Sequence, residues 1–229
     1  MAQSSGQLAV YLEIGKERTF AGVIDWPGWC RSGRDEASAL KELFDYRPRY
    51  EEVLHASGGG LSASAAASAF NVVERLVGNA TTDFGAPGVP PSSDSRPADA
   101  AELERLQGIL KACWAAFDDA VGKAKGKEFR YGPRGGGRDL DSIIQHTLDG
   151  EASYLSRMAW KLDKKEGTDP AEALNLSRQA VLSVLERAAR GEAPAQGSPG
   201  RVQWTPRYFV RRAAWHVLDH AWEIHDRVI

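Results

Sequence analysis

The chain has 229 residues, of which 42% are hydrophobic, and a formal net charge of −2 at pH 7, so it can bury a sizeable core. A charge this close to zero argues against nucleic acid as a partner. The chain has neither a basic segment followed by an apolar one at its start nor an apolar run long enough to span a membrane, so we expect a cytoplasmic protein without a membrane partner. Cys30 and Cys113 lack CxxC spacing, so neither a disulfide framework nor a zinc-thiolate site is expected.

Residues 6–78 predict a small α+β domain. Two segments rich in β-branched and aromatic residues, 8–15 and 18–24, predict a hairpin of two strands. A turn follows, and then a helix opened by residues 32–35, which should be interrupted at Pro48 and end at the glycines near position 58. The alternating segment 70–77 predicts the returning strand. The expected order is therefore strand, strand, helix, strand.

The hairpin, the Asp-Trp-Pro-Gly turn at residues 25–28 and the helix after it resemble the HicB-like family of small antitoxin-type domains. That resemblance implies a docking or regulatory domain, without the DNA-binding segment that such antitoxins usually carry; a purely structural role is the alternative. Trp26 and Trp29 are the candidate contact residues, although a tryptophan in a turn more often caps its own core. Residues 79–98 are rich in Gly, Pro, Ser and Asp, which predicts a linker.

Residues 99–229 predict an antiparallel four-helix bundle. Apolar residues recur at spacings of three and four over about 98–121, 138–164 and 168–190. A fourth helix should begin at Thr205 as the N-cap, with proline next, and continue almost to the end of the sequence. Because turns and short loops join these helices, antiparallel packing is the simplest arrangement. The predicted fold class is an α+β two-domain chain.

Three of the five histidines indicate a metal site. His216 and His220 lie four residues apart on the mostly apolar stripe of the last helix, where a bundle would ordinarily place leucine. His146 lies beside the apolar stripe of the second bundle helix and can turn inward. Three imidazoles that meet in a bundle suit Zn²⁺ or a similar divalent ion with an open coordination position. An isolated HxxxH pair, however, is more often two ordinary core or surface histidines.

The predicted bundle, the sequence IQH around His146 and the sequence WHVLDHAWE around His216 and His220 resemble the DinB-like superfamily of metal-binding bundles over residues 99–229. The resemblance implies that these three histidines bind Zn, Ni, Mn or Fe. It also implies a metal-dependent hydrolase or a transferase that uses a low-molecular-weight thiol, and it identifies no catalytic residue and no substrate. We expect a small-molecule substrate, with a homodimer left open. The alternative is a non-enzymatic binding or regulatory protein whose HicB-like domain recognises a partner.

Other polar residues near these motifs have weaker signals. Glu151 and Asp219 are candidates to orient an imidazole or to serve as a base, since histidine ligands usually donate their second N–H to a carboxylate or carbonyl. The alternative for each is an ordinary solvated or capped charge. His225 is expected at the rim and not among the ligands, and His55 is expected to interact with the C-terminal end of its helix. The glycine-rich segment 134–139 is either a flexible connection or an anion-binding loop at a helix start.

Overall fold

The computed structural model describes residues 7–56, 58, 60–61, 69–131, 137–160, 168–192 and 203–229. The chain divides into two compact units, Met1–Arg96 and Pro97–Ile229. The predicted α+β class is confirmed, because a mixed four-stranded sheet in the first unit is followed by several helices. Among the described helices, none is both long enough and apolar enough to cross a bilayer.

The sheet of the N-terminal unit consists of β1 (Gln7–Ile14), β2 (Thr19–Val23), β3 (Cys30–Gly33) and β4 (Ala69–Val77). The strand order is β3-β2-β1-β4; β2 is antiparallel to both of its neighbours, and β4 is parallel to β1. The predicted hairpin and returning strand are therefore present. The sequence analysis missed β3, because its four residues, Cys-Arg-Ser-Gly, contain no β-branched or aromatic side chain and only pairing with β2 defines the strand.

The predicted interruption near Pro48 separates two helices, α1 (Glu36–Asp45) and α2 (Arg47–Ala56). Trp29 is fully buried beneath them: its indole N–H donates to the carbonyl of Leu43 at 2.9 Å, and its ring stacks on Tyr50. Trp29 is therefore part of the core, and only Trp26 of the two predicted contact tryptophans is partly exposed.

The segment predicted as a linker contains a short helix, α3 (Ala80–Phe84), and a 3-10 turn (Ser92–Ser95). It is hydrogen-bonded to the sheet, and the boundary between the units falls near its end, between Arg96 and Pro97. Buried Glu13 of β1 accepts hydrogen bonds from the Thr82 hydroxyl and from the backbone N–H groups of Gly88 (2.8 Å) and Val89 (3.1 Å). Residues of the segment predicted as a linker therefore donate hydrogen bonds to a buried carboxylate.

Among its described residues the second unit has four long helices, α4 (Ala100–Ala124), α5 (Leu140–Arg157), α6 (Pro170–Ala189) and α7 (Pro206–Arg227). An Asp or Thr side chain caps the start of each, as the sequence indicates for α7. Helix α7 packs against the other three, and α6 packs against α4 and α5. Helix α5 ends at Arg157, earlier than predicted, because Ala159 adopts a left-handed conformation with φ of 57° that cannot continue a helix.

Candidate metal centre

Two helices bring the three predicted histidines together. Helix α5 carries His146, and α7 carries His216 and His220. Helix α7 is buried along most of its length, since it contacts three other helices. His216 and His220 are only 6% and 7% exposed, while His146 is half-buried. The cluster therefore lies where α5 faces α7, at the edge of the core.

The imidazoles form a tight triangle. Their ring centroids are 5.1 Å apart for His146 and His216, 4.9 Å for His146 and His220, and 4.7 Å for His216 and His220. Each pair meets edge to face. The Nε2 atoms of His146 and His216 lie 3.3 Å apart, so one of the two nitrogens carries a proton when they hydrogen-bond to each other. One nitrogen from each of the three rings falls within 4.8 Å of the other two.

A carboxylate orients one of these rings. Glu223 lies within 2.8 Å of Nδ1 of His220, which leaves Nε2 of His220 as the nitrogen available to a metal. Glu223 also accepts a hydrogen bond of 2.6 Å from Arg227, whose guanidinium donates in turn to the carbonyls of Arg130 and Arg138. The hydrogen bond from His220 holds the pKa of the Glu223 carboxyl below its usual range, and Arg227 adds to this effect. Glu223 is thus an anchored anion beside the site.

A glycine allows the two helices to approach at the site. Gly150 lies one turn after His146 on α5, and a Cβ at this position would stand 2.5 Å from Cε1 and 3.0 Å from Nδ1 of His216. Any side chain there would push the ring of His216 away from His146. Glycine lowers helix propensity by roughly 1 kcal/mol relative to alanine, so its place inside α5 has a packing reason.

Aromatic rings border the cluster on the side nearer the start of α7. The ring of Tyr154 meets that of His216 edge to face at 5.5 Å, and its other neighbours are Trp204 and the guanidinium of Arg212. Burial raises the pKa of the Tyr154 hydroxyl, so this group keeps its proton near neutral pH. The wall therefore presents neutral rings and one cation to the histidines.

The protonation state of the cluster suits metal binding. Burial holds the pKa of His216 well below its usual range, and His220 and Arg212 act in the same direction. Burial also lowers the pKa of His146, followed by the nearby charge of Arg138. Both imidazoles are therefore neutral near pH 7, and neutral imidazole is the form that binds metal ions.

The donor set fits a divalent cation. Nitrogens held about 2.0–2.1 Å from a tetrahedral zinc ion stand roughly 3.3–3.4 Å from one another. The separation between the Nε2 atoms of His146 and His216 already matches this value. Three histidine nitrogens also leave one tetrahedral position without a protein ligand from the described residues, as in catalytic zinc sites.

The remaining candidate residues lie elsewhere. Glu151 does not orient a ligand: it is buried against Trp114, whose indole N–H donates to it at 2.9 Å, and burial raises the pKa of its carboxyl. A carboxylate that contacts a histidine of the cluster is Glu223, which lies beside Nδ1 of His220. His225 is exposed, as expected, with Nδ1 near Asp226. Half of the glycine-rich segment 134–139, residues 134–136, lies outside the described residues.

Glu223, Gly150 and Arg212 were not assigned to the site from the sequence. Each is one helical turn from a histidine of the cluster, because their offsets from His220, His146 and His216 are three or four residues. That spacing is the signal that could have identified them. It is present on every helix, however, and becomes informative only once the histidines are known to meet.

No family model, no curated protein and no solved structure matches this chain.

Proposed function

We propose that the C-terminal unit binds one divalent metal ion through His146, His216 and His220 and that this ion serves a small-molecule reaction. The observation that supports this most directly is the approach of three imidazole nitrogens within 4.8 Å, two of them at a separation suited to tetrahedral zinc. The Nε2 atoms of His146 and His216 face each other, whereas imidazoles packed for stability alone would be expected to hydrogen-bond to backbone or carboxylate groups.

The ligand chemistry favours zinc among the candidate ions. Neutral imidazole nitrogen suits Zn²⁺, Ni²⁺ and Fe²⁺, whereas Mg²⁺ and Ca²⁺ require oxygen ligands. Manganese and iron sites usually include a carboxylate ligand, but the nearest carboxylate, Glu223, already binds His220 and Arg227. Its role is to hold the ring of His220 and make the opposite nitrogen a better donor.

A DinB-like four-helix bundle is the architecture that we propose for this unit. The helix contacts support it, because α4, α7, α5 and α6 form a closed ring of neighbours in that order. A site built from facing helices inside a bundle is also where such proteins place their metals. The DinB-like assignment adds the reaction class, which is hydrolysis or transfer of a low-molecular-weight thiol.

Each residue of the site has a defined part in either reaction. A bound divalent ion would supply Lewis-acid chemistry of the kind that activates water or a thiol. His146, His216 and His220 hold it, Glu223 fixes the orientation of His220, and Gly150 makes room for the ring of His216. The partly buried aromatic wall limits access of bulk water from one side.

Metal binding is tested by loading the purified chain with Zn²⁺, Ni²⁺, Mn²⁺ or Fe²⁺ and measuring retained metal by mass spectrometry after desalting. We expect about one equivalent in the wild type and none in the double variant His216→Ala/His220→Ala. His225→Ala is the matched control, since it removes an exposed histidine from the same helix and should retain the full equivalent. Equal metal content in all three proteins would rule out the site.

Hydrolysis and thiol transfer are separated with the zinc-loaded chain. A chromogenic ester in buffer reports hydrolysis without a thiol. Chlorodinitrobenzene with 2-mercaptoethanol reports transfer, in which sulfur bonds to the ring carbon, chloride leaves and the thiol proton passes to solvent. The rate that the His216→Ala/His220→Ala variant loses and His225→Ala keeps identifies the reaction class.

Partner recognition by a HicB-like N-terminal domain is the second candidate function. The observation that favours it is β4, an edge strand of nine residues without proline and with Val73 and Val77 exposed. Such an edge can pair with an extended segment of another protein. Replacing both valines with lysine in the full chain should abolish capture of a partner and leave the metal content unchanged.

A further inference from the structure

Arg212 lies on the same face of α7 as two of the candidate ligands. It precedes His216 by four residues and His220 by eight, so the three side chains follow one another at single-turn intervals. One such interval advances about 6 Å along the helix axis. Arg212 is only 8% exposed, which is unusual for a side chain that is always charged.

The surroundings of this guanidinium are aromatic. Its central carbon lies 4.6 Å from the ring centroid of Trp215 and 5.3 Å from that of Tyr154. Tyr154 in turn contacts His216, so one ring separates the cation from the histidine cluster. Cation–π contacts stabilise a guanidinium but do not use its N–H donors, which point outward in the plane of the group.

Arg212 has no carboxylate partner in the described part of the chain, unlike three other arginines of its unit. Arg178, Arg207 and Arg227 pair with Asp118, Glu102 and Glu223, respectively. For Arg212 the described part of the chain provides no ion pair, and the buried Nη1 has no hydrogen-bond partner there. A buried charge with an unsatisfied donor is strongly unfavourable for folding, which suggests that a ligand supplies the missing anion.

We propose that Arg212 is the subsite for a carboxylate of the molecule that reacts at the histidine cluster. The proposal rests on the metal-binding function proposed above, because it makes Arg212 and the metal two ends of one binding site. A single cation between two flat rings suits a planar monoanion, since a phosphate dianion would call for more than one cation. The ligand class is thus a small carboxylic acid, with the carboxylate about one helical turn from the group at the metal.

The carboxylate can belong either to a thiol cofactor or to the second substrate, and matched thiols separate the two. The full chain is loaded with Co²⁺, whose absorption spectrum changes when a thiol sulfur binds. It is then titrated with 3-mercaptopropionate and with neutral 3-mercaptopropan-1-ol, which share the thiol and differ in the charged end. Mercaptoacetate and 4-mercaptobutyrate vary the distance between the two groups.

In the wild type, we expect the carboxylate thiol to bind at least about ten-fold more tightly than the alcohol, because a charge-assisted hydrogen bond to a buried guanidinium is formed. Arg212→Met should reduce that ratio to about one, and Arg212→Lys should restore part of it, since lysine keeps the charge but not the fork of donors. Arg190→Met, a change of the exposed arginine that follows α6, is the control for net charge and should keep the full ratio. An unchanged ratio in Arg212→Met would overturn the proposal.

A second titration assigns the carboxylate to its molecule. If it belongs to the other substrate, propionate and 2-mercaptoethanol should bind to the cobalt protein together, with propionate affinity dependent on Arg212. If it belongs to the thiol, 3-mercaptopropionate should displace 2-mercaptoethanol, and propionate should not bind beside it. Propionate binding that is equal in the wild type and Arg212→Met overturns the subsite for the separate substrate.

The metal-free chain keeps the two proposals distinguishable. Succinate should raise the melting temperature of the metal-free wild type and have no effect on Arg212→Met. A wild type that takes up no cobalt but shows this difference overturns the metal site and leaves Arg212 as a carboxylate site. Cobalt uptake without any effect of succinate overturns the carboxylate site at Arg212 and leaves the metal site. Arg212→Met should melt no lower than the wild type, because an apolar side chain of similar length replaces an unpaired buried charge.

Discussion

Glu13 in the N-terminal unit and Arg212 in the C-terminal unit are both buried charged side chains, yet their surroundings differ. Both oxygens of Glu13 accept hydrogen bonds, from a hydroxyl and two backbone N–H groups. Arg212 lies between two aromatic rings, and its Nη1 donor has no partner in the described residues. Hydrogen bonds within the N-terminal unit satisfy both oxygens of Glu13, whereas Arg212 keeps a donor that can still form a hydrogen bond.

The histidine cluster, like Arg212, includes a buried nitrogen that has no hydrogen-bond partner among the described residues. The Nδ1 atom of His216 is buried without a hydrogen-bond partner in the described chain, and its Nε2 faces another imidazole. Glu13 therefore illustrates how a buried polar group stabilises a fold, whereas each of the two α7 residues has a buried nitrogen that no described residue satisfies. We therefore expect substitution of Glu13 to change the free energy of unfolding, and substitutions around His216 and Arg212 to change the binding of a metal or ligand.

Glu13→Gln should have the largest effect on stability. The amide replaces one acceptor oxygen with an NH₂ group that faces N–H and O–H donors, so hydrogen bonds are lost and donors are left unsatisfied. We expect a loss of about 3 kcal/mol in the free energy of unfolding, measured by urea denaturation of the full chain. Glu42→Gln on the exposed face of α1 should change it by less than about 0.5 kcal/mol. A Glu13→Gln protein as stable as the wild type would contradict a structural role for this carboxylate.

Gly150→Ala should affect both stability and metal binding. The added Cβ would stand 2.5 Å from the His216 ring, and overpacking of this kind costs roughly 1–3 kcal/mol. Displacing the ring should also lower zinc affinity by at least about ten-fold in a competition titration. Gly108→Ala in α4 is the matched control, because open space surrounds it; there alanine should stabilise the chain by about 0.5–1 kcal/mol. If both variants gain stability and bind zinc normally, Gly150 has no role at the site.

The sequence predicts the helices and the histidines of the C-terminal unit well, for physical reasons. The N-cap Thr205 and the apolar spacing of α7 are local signals, and the structure places the helix at Pro206–Arg227. Two histidines on a buried stripe are also visible locally, because a polar residue at a core position must have a partner. That His146 is this partner depends on how α5 packs against α7, and only the structure establishes their proximity.

The features that the sequence could not provide depend on contacts between distant residues. Strand β3 has almost no strand propensity and exists because β2 pairs with it. The role of Glu223 is hidden because a glutamate near the end of a helix is ordinarily solvated. Residues 79–98 have the composition of a linker, and nothing local reveals that Glu13, a charged residue inside an apolar strand, accepts hydrogen bonds from N–H groups in this segment.

Glu223→Gln tests whether the hydrogen bond behind His220 matters to the metal. The amide can still accept from Nδ1, but it lacks the negative charge that makes imidazole a stronger donor. We expect zinc affinity to fall by about 10–100-fold, measured by competition with a chelator. Glu186→Gln, an exposed change on α6, should bind zinc as the wild type does. Should Glu223→Gln bind zinc with unchanged affinity, Glu223 serves only its contact with Arg227.

The smallest predicted effect is the contribution of His216 to the pH dependence of the free energy of unfolding. Burial lowers the pKa of His216 in the folded chain, with His146, His220 and Arg212 adding to it, while the unfolded chain has an ordinary value of about 6.5. Below pH 6.5 the unfolded chain therefore binds more protons than the folded one, and stability must fall as the pH decreases. In metal-free protein we expect His216 to contribute a slope of up to about 1.4 kcal/mol per pH unit between pH 6.5 and 5.5. Urea denaturation of His216→Gln should show a correspondingly flatter profile, since its amide does not titrate, and equal slopes would mean that the folded chain accommodates a charged His216.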